Sequence, residues 1–434
     1  MLVYSHKITP RVRYIFKVMF GDMLGLQVGF ESDKKTFSDA EEPKFSYSHS
    51  LVSDELHVRS QGLLHDTGVK DQNIKILEDE DGKYFYSTSS ENSMFKFDVF
   101  AASFFLLTRY EECLPHIRDQ YNRFEAKESL AFKNGFLTEP VVDQWVIRMR
   151  QIIQEKYPDV VFKKREYKFV STIDIDNAYA YKNKGFMRTA GAYARAIVNL
   201  DFAEVAERTR VLLGQEQDPY DTYDFQLDTQ TKYGLKTLYF LLVADYGVND
   251  KNVPHYNQEF QSLIKHLSDY AQIGIHPGFN SNQNADKLKT EKRRLQNITH
   301  RDVVKSRQHF LILHIPHTYQ NLIDNDILED HSMGYAAHSG FRAGTCTPYR
   351  FFDLDLETST ELIVHPFTIM EATLKYYMKL SPEESKAHIT ELVEKVRSVD
   401  GTFISLWHNE TLSDKGIWEG WRDVFTHMVK VAQV

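Results

Sequence analysis

The run Val170-Ser171-Thr172-Ile173-Asp174-Ile175-Asp176-Asn177 ends in two carboxylates. An apolar run bounded by polar residues reads as a strand buried on both faces, here Tyr167 to Ile173. Asp174 and Asp176 are two apart, so on an extended chain they point to the same side. Carboxylates held together repel, and three arrangements relieve this. A divalent cation can take them as ligands. One can keep a proton and serve as a general acid or base. Both can cap backbone N–H groups at a strand-to-loop turn. The run alone leaves all three open.

Further reactive side chains follow at the ends of other apolar runs. One run closes on Gly274-Ile275-His276-Pro277, the next carries Arg307-Gln308-His309, and the last, from Gly401 to Leu406, leads into Trp407-His408-Asn409-Glu410. Between them lies Gly340-Phe341-Arg342-Ala343-Gly344-Thr345-Cys346-Thr347-Pro348-Tyr349. With 18 histidines in the chain, a single one means little. Acids, histidines and arginines that recur at strand ends, and almost nowhere along the strands, mean more. Parallel α/β proteins collect their chemistry at the C-terminal ends of strands.

The elements that must position these groups alternate from about Arg165 onward. Helices are expected over Gly191 to Leu213, Asp218 to Tyr233 with Gly234 as the stop, Asn257 to Ala271 and Asp286 to Ile298. Strands are expected over Lys236 to Val243, Gln272 to His276 and Val303 to Leu311. Strand, helix, strand order means parallel strands with crossover helices, and some 270 residues of it suit one α/β barrel. The amphipathic stretch around Tyr193, Ile197, Val198 and Leu200 is expected to cover the sheet. Residues 1 to about 160 form an earlier α/β block. A helix starts at Thr9-Pro10, short strands lie near Leu26 to Phe30 and Lys44 to Tyr47, and another helix runs from Pro140 to Lys156. The nearly all-apolar helix Phe97 to Cys113 is expected to be buried, with Arg109, Glu111 and Glu112 as a solvated end.

The chain has 434 residues, enough for two domains. Hydrophobic residues make up 42% and charged residues 26%, a globular composition. A net charge of −9 argues against nucleic acid as the main partner. Two cysteines, Cys113 and Cys346, form no disulfide framework and fit a reducing compartment, the cytoplasm. No signal peptide and no membrane span are expected.

These motifs resemble the metal-dependent polysaccharide deacetylases, a carbohydrate esterase family. Thr172-Ile173-Asp174-Ile175-Asp176 resembles the first motif, Ile275-His276-Pro277-Gly278-Phe279-Asn280 the second, and Leu406-Trp407-His408 the last, one residue shorter than its Leu-x-x-His pattern. FRAGTCTPY, SRQHF and FDVFAASFFLLTRYEE together look like a bacterial subgroup associated with surface polysaccharides. The resemblance implies a distorted (β/α) barrel over residues 166–434, preceded by a smaller α/β domain of unknown role over 1–160. It implies a divalent metal, zinc by default, and a carbohydrate substrate: N- or O-acetylated sugars of a surface polysaccharide or its precursor. It implies Asp174 as catalytic base, Asp176 and His276 as metal ligands, His408 as general acid, and an arginine that holds Asp174. Arg307 fits that place by order along the chain, Arg342 by local wording.

One position departs from the family pattern. A second ligand histidine belongs four residues after His276, where this chain has Asn280. A catalytic zinc takes three protein ligands, and His309 on the next strand is the expected replacement, since it shares a side with Arg307. His338 and His365 compete for the role, and a buried His309 bonded to backbone is the other reading. The missing histidine also leaves room for an inactive carbohydrate-binding or scaffold protein, and the fold for a hydrolase of a non-sugar amide or cyclic imide. Tyr179, Tyr181, Phe279, Tyr349, Phe351 and Trp407 are candidates to stack on sugar rings.

Overall fold

The computed structural model describes residues 1–80 and 82–433. Its first block is built on four parallel strands. β1 (Leu2–Tyr4) lies between β2 (Gly29–Glu31) and β3 (Lys44–Ser48), and β4 (Leu56–Arg59) pairs with β3. β5 (Leu77–Asp79) and β6 (Gly82–Tyr84) form a separate antiparallel pair. The helix Pro10–Phe16 starts as its sequence dictates: Thr9 accepts from Val12 N–H and proline fills the first turn. The apolar helix is Val99–Leu107, capped by Asp98 and buried at every position. Its polar tail is not the solvated end that was expected. Arg109 and Glu112 are buried, with Arg109 Nε donating to Glu112 Oε1 at 2.7 Å.

The second block carries nine strands: β7 (Lys168–Ile175), β8 (Thr237–Leu241), β9 (Gln272–Ile275), β10 (Lys305–Ser306), β11 (Glu329–Asp330), β12 (Tyr349–Asp353), β13 (Thr358–Val364), β14 (Ile369–Met370) and β15 (Thr402–His408). They make one sheet in the order β12-β13-β11-β10-β9-β8-β7-β15-β14. All its ladders are parallel except β12 with β13. The register sets His408 opposite Asp174, Leu241 opposite Ile275, and Ile275 opposite Ser306. The strand ends therefore stop at one level, and the residues just past them meet. Among the described residues no ladder joins β12 to β14.

Two expectations about length are corrected. The strand expected from Val303 to Leu311 pairs only at Lys305–Ser306. After it the chain turns, and Phe310 and Leu311 take left-handed conformations at φ 59° and 55°, which no strand tolerates. The helix expected from Gly191 to Leu213 is two, Phe186–Val198 and Phe202–Leu212. Leu200 breaks it at φ 57°, and Asp201 caps the second by accepting from Glu204 N–H. The first of these does not cover the sheet with an apolar face. It buries only Ala196 and leaves Phe186, Met187, Ile197 and Val198 exposed.

One apolar cluster runs through both blocks, from Phe16, Phe100 and Trp145 to Ile173, Tyr239 and Trp407. Polar contacts cross as well. Tyr14 Oη donates to Arg350 O at 2.7 Å, and the Arg11 guanidinium pairs with Glu357.

Candidate active site

Asp174 on β7 and Asp176 just past its end have different surroundings. Asp174 is buried, and Arg307 Nη1 donates to its Oδ1 at 3.0 Å. Arg307 is itself fully buried and fixed twice more, to Thr172 Oγ1 at 2.6 Å and to His331 O at 3.0 Å. Asp176 instead faces imidazoles. His276 Nε2 lies 3.0 Å from its Oδ1 and His309 Nε2 lies 3.3 Å from its Oδ2. His276 Nε2 is also 3.9 Å from Asp174 Oδ2, so the acids sit in one pocket with separate partners.

The far side of each ring decides which nitrogen is free. His276 Nδ1 lies 2.6 Å from the Arg307 carbonyl, which can only accept. His309 Nδ1 lies 2.9 Å from Asp250 Oδ1. Both Nδ1 atoms therefore donate, and in the neutral rings both Nε2 lone pairs face Asp176. Asp176 Oδ1 is buried without a hydrogen bond. One ligand atom from each of the three residues lies within 4.8 Å of the others. An orphaned carboxylate oxygen, two oriented imidazoles and a carboxylate behind one of them are what a divalent cation needs. Burial pushes the Asp176 carboxyl up, but His309 and His276 hold it well below the usual range. Burial pushes His309 down, and Asp176 and Asp250 raise it to about 9.

His408 closes the pocket from β15. Its Nδ1 donates to Glu371 Oε1 at 2.7 Å, and its Nε2 lies 3.8 Å from Asp176 Oδ2. Glu371 is fully buried and also accepts the His408 backbone N–H at 3.1 Å. Burial lowers the basicity of His408, and Glu371 more than reverses this, so its pKa stands well above the usual histidine value. Glu410 lines the same cavity, and burial pushes it up to about 7.

The cavity holds about 270 Å³, with Phe310, Tyr376, Tyr377 and Trp418 among its walls. Of the aromatics singled out from the sequence, Tyr179, Tyr349, Phe351 and Trp407 are buried, and Tyr181 is tied to Glu207 by its hydroxyl. Phe279 packs edge-on against Phe310 with ring centres 5.5 Å apart. Tyr376 and Tyr377, at 51% and 45% exposure, are free enough to meet a ligand.

Arg342 does not hold Asp174. It pairs with buried Glu112 through Nε at 2.9 Å and Nη2 at 2.5 Å, and with Gly334 O at 2.9 Å. Asn280 is exposed and lines a separate hollow with Asp245 and Arg294. His338 packs on Phe132, and His365 stacks on His331. Asp174, Asp176, His276, Arg307, His309 and His408 do come together. Sequence reasoning missed Asp250, Glu371 and Glu410. Glu371 directly follows the apolar pair Ile369-Met370, a strand-end acid like the others, and Glu410 follows His408 by two. Asp250 lies in a loop with no pattern to mark it.

Residues 1–158 match the model of a family of unknown function (DUF7033). No curated protein sequence matches the chain. Among solved structures, one assigned as a polysaccharide deacetylase from Mycobacterium smegmatis aligns at TM-score 0.38 and 14% identity, over 62% of this chain and 85% of that one. A polysaccharide deacetylase from Bacillus cereus gives 0.29 and 11%, over 62% and 86%. A CE4 family pseudoenzyme from Bacillus anthracis gives 0.29 and 13%, over 62% and 62%. Likenesses this low in score and identity say nothing of reaction or substrate.

Proposed function

We propose that the protein is a metal-dependent hydrolase that removes acetyl groups from N- or O-acetylated sugars of a surface polysaccharide or its precursor. The catalytic unit is a distorted (β/α) barrel over residues 166–434, and residues 1–160 form a smaller domain of unknown role. The free thiols Cys113 and Cys346 suit work in the bacterial cytoplasm. The observation that carries the reading is the division of labour between two acids at one strand end: Asp176 among imidazoles, Asp174 against Arg307.

Asp176, His276 and His309 would hold the cation, with zinc the default for this donor set. A cation bound there supplies Lewis acidity toward a carbonyl oxygen and acidifies a water molecule. Arg307 holds Asp174 in place through Nη1, and Asp174 takes the proton of the attacking water. His408, tied through Nδ1 to Glu371, presents Nε2 to the pocket and gives its proton to the departing amine or hydroxyl. Water adds to the acetyl carbon, the C–N or C–O bond breaks, and acetate and the free sugar leave. Tyr376, Tyr377 and Trp418 offer faces for sugar rings.

Metal analysis of two purified variants tests the assignment. Asp176→Ala is expected to lose the metal bound at this site. Asp174→Asn is expected to keep it and lose turnover. Equal metal loss in both would overturn the division of roles.

A further inference from the structure

A second group of ligand-type side chains lies beyond Arg307, outside the site above. Glu329 is on β11, and His331 follows two residues later on the same side. His365 follows β13, whose Val364 is opposite Asp330, and its N–H donates to Asp330 O at 2.8 Å. The His331 and His365 rings stack at 4.3 Å with planes 11° apart. His365 Nε2 lies 3.1 Å, and His331 Nε2 3.8 Å, from Glu329 Oε2.

The polar atoms here are not satisfied. His331 is 3% exposed, and neither of its ring nitrogens makes a hydrogen bond. His365 Nε2 is also buried without one, despite its closeness to Glu329. A neutral imidazole always carries one N–H and one lone pair, so burying both ends of His331 without partners costs free energy. Such groups call for an explanation, and an ion is one. Two imidazoles and one carboxylate with ligand atoms within 4.8 Å of one another form a set that suits zinc, nickel or copper. The opposing charges are Lys305, whose ammonium pairs with the same Glu329 oxygen, and Arg307.

We propose that Glu329, His331 and His365 form a second divalent-cation site, separate from Asp176, His276 and His309. Lys305 would release Glu329 when the cation binds. The site would be structural. It would clamp the end of β11 to that of β13 and so fix His331 O, which accepts from Arg307 Nε at 3.0 Å. Arg307 in turn holds Asp174.

The test is zinc stoichiometry of the full chain, stripped with chelator, reloaded with zinc alone, desalted and assayed by elemental analysis. The wild type is expected to retain two zinc ions per chain. Glu329→Gln and His365→Gln replace side chains that are partly exposed, 28% and 20%, which spares the core. Each is expected to retain one ion, as is Asp176→Ala, and the double variant Asp176→Ala/His365→Gln none. Lys305→Met is expected to retain two and to bind the second more tightly. Unchanged far-UV circular dichroism confirms folding. A wild-type zinc content that neither Glu329→Gln nor His365→Gln lowers would overturn the proposal, whether that content is one ion or two. The variants remove different ions, so failure of this site leaves the first one readable.

Discussion

Asp250→Asn is the most informative small change at the site. Asp250 Oδ1 accepts from His309 Nδ1 at 2.9 Å, and the same carboxylate takes Phe279 N–H at 3.0 and 3.2 Å. One acid thus steadies the ring of His309 and the turn that follows His276. An asparagine keeps the shape and one accepting oxygen, so the change removes mainly charge. A hydrogen bond to a charged group contributes roughly 1.5–3 kcal/mol net, and a neutral one about 0.5–1.5. The difference, about 1–2 kcal/mol, is roughly a 5- to 30-fold loss of zinc affinity. That overlaps the range of about 10- to 100-fold for partners behind metal-bound histidines. Competition with a chromophoric chelator measures it, with the melting temperature as a check on folding. Asn280→Ala is the control and should bind zinc like the wild type, since Asn280 faces another hollow. Asp250→Asn within twofold of wild type would refute the reasoning, as would a large loss in Asn280→Ala.

Other outcomes follow from the same geometry. His408→Ala should slow turnover by about 10²- to 10⁴-fold, the usual share of a general acid, and Glu371→Gln, which removes the charge that raises the His408 pKa, should draw the alkaline limb of the pH–rate profile to lower pH, both with metal content unchanged. Near wild-type rates in His408→Ala would remove it from the mechanism. Glu112→Gln should destabilise the fold. Burial opposes ionisation of Glu112, but Arg342 and Arg109 hold its pKa down to about 2 against a usual 4.5. That shift is worth about 3 kcal/mol. The folded pKa is the lower one, so this stability is present above about pH 4.5 and is lost as pH falls toward 2. A urea midpoint at pH 7 should show the loss, and a change under about 1 kcal/mol would contradict it.

Much of the second block was legible because parallel strands buried on both faces leave apolar runs, and their reactive residues fall at the ends of those runs. Asp174, Asp176, His276 and His408 stand out for that reason. The Val303 to Leu311 run misled on length. Its apolar residues serve the core and the cavity wall, while only Lys305–Ser306 pair. Arg307 and His309 still reach one pocket, because Gln308 between them is extended at φ −70°, ψ 127°. Arg342 was not separable from Arg307 by sequence. Its partner, Glu112, is 230 positions away in the first block, and only the packed fold brings the two together. Asp250 was missed for the same reason, since it lies in a loop and acts through His309, 59 positions along the chain. Glu371 does end a strand, but one whose apolar pair, Ile369–Met370, is too short to stand out. The exposed face of Phe186–Val198 shows the converse limit: periodicity reports that a helix has an apolar face, not that anything covers it.

The central claim is that this pocket hydrolyses acetyl groups from sugars with Asp174 as base. Acetate release from a panel of N- and O-acetylated oligosaccharides, with non-sugar amides and cyclic imides alongside, tests it most directly. The zinc-loaded wild type should release acetate from at least one acetylated sugar, and Asp174→Asn, carrying the same zinc, should not. Zinc bound in full with no acetate from any sugar, or release that survives Asp174→Asn, would contradict the account.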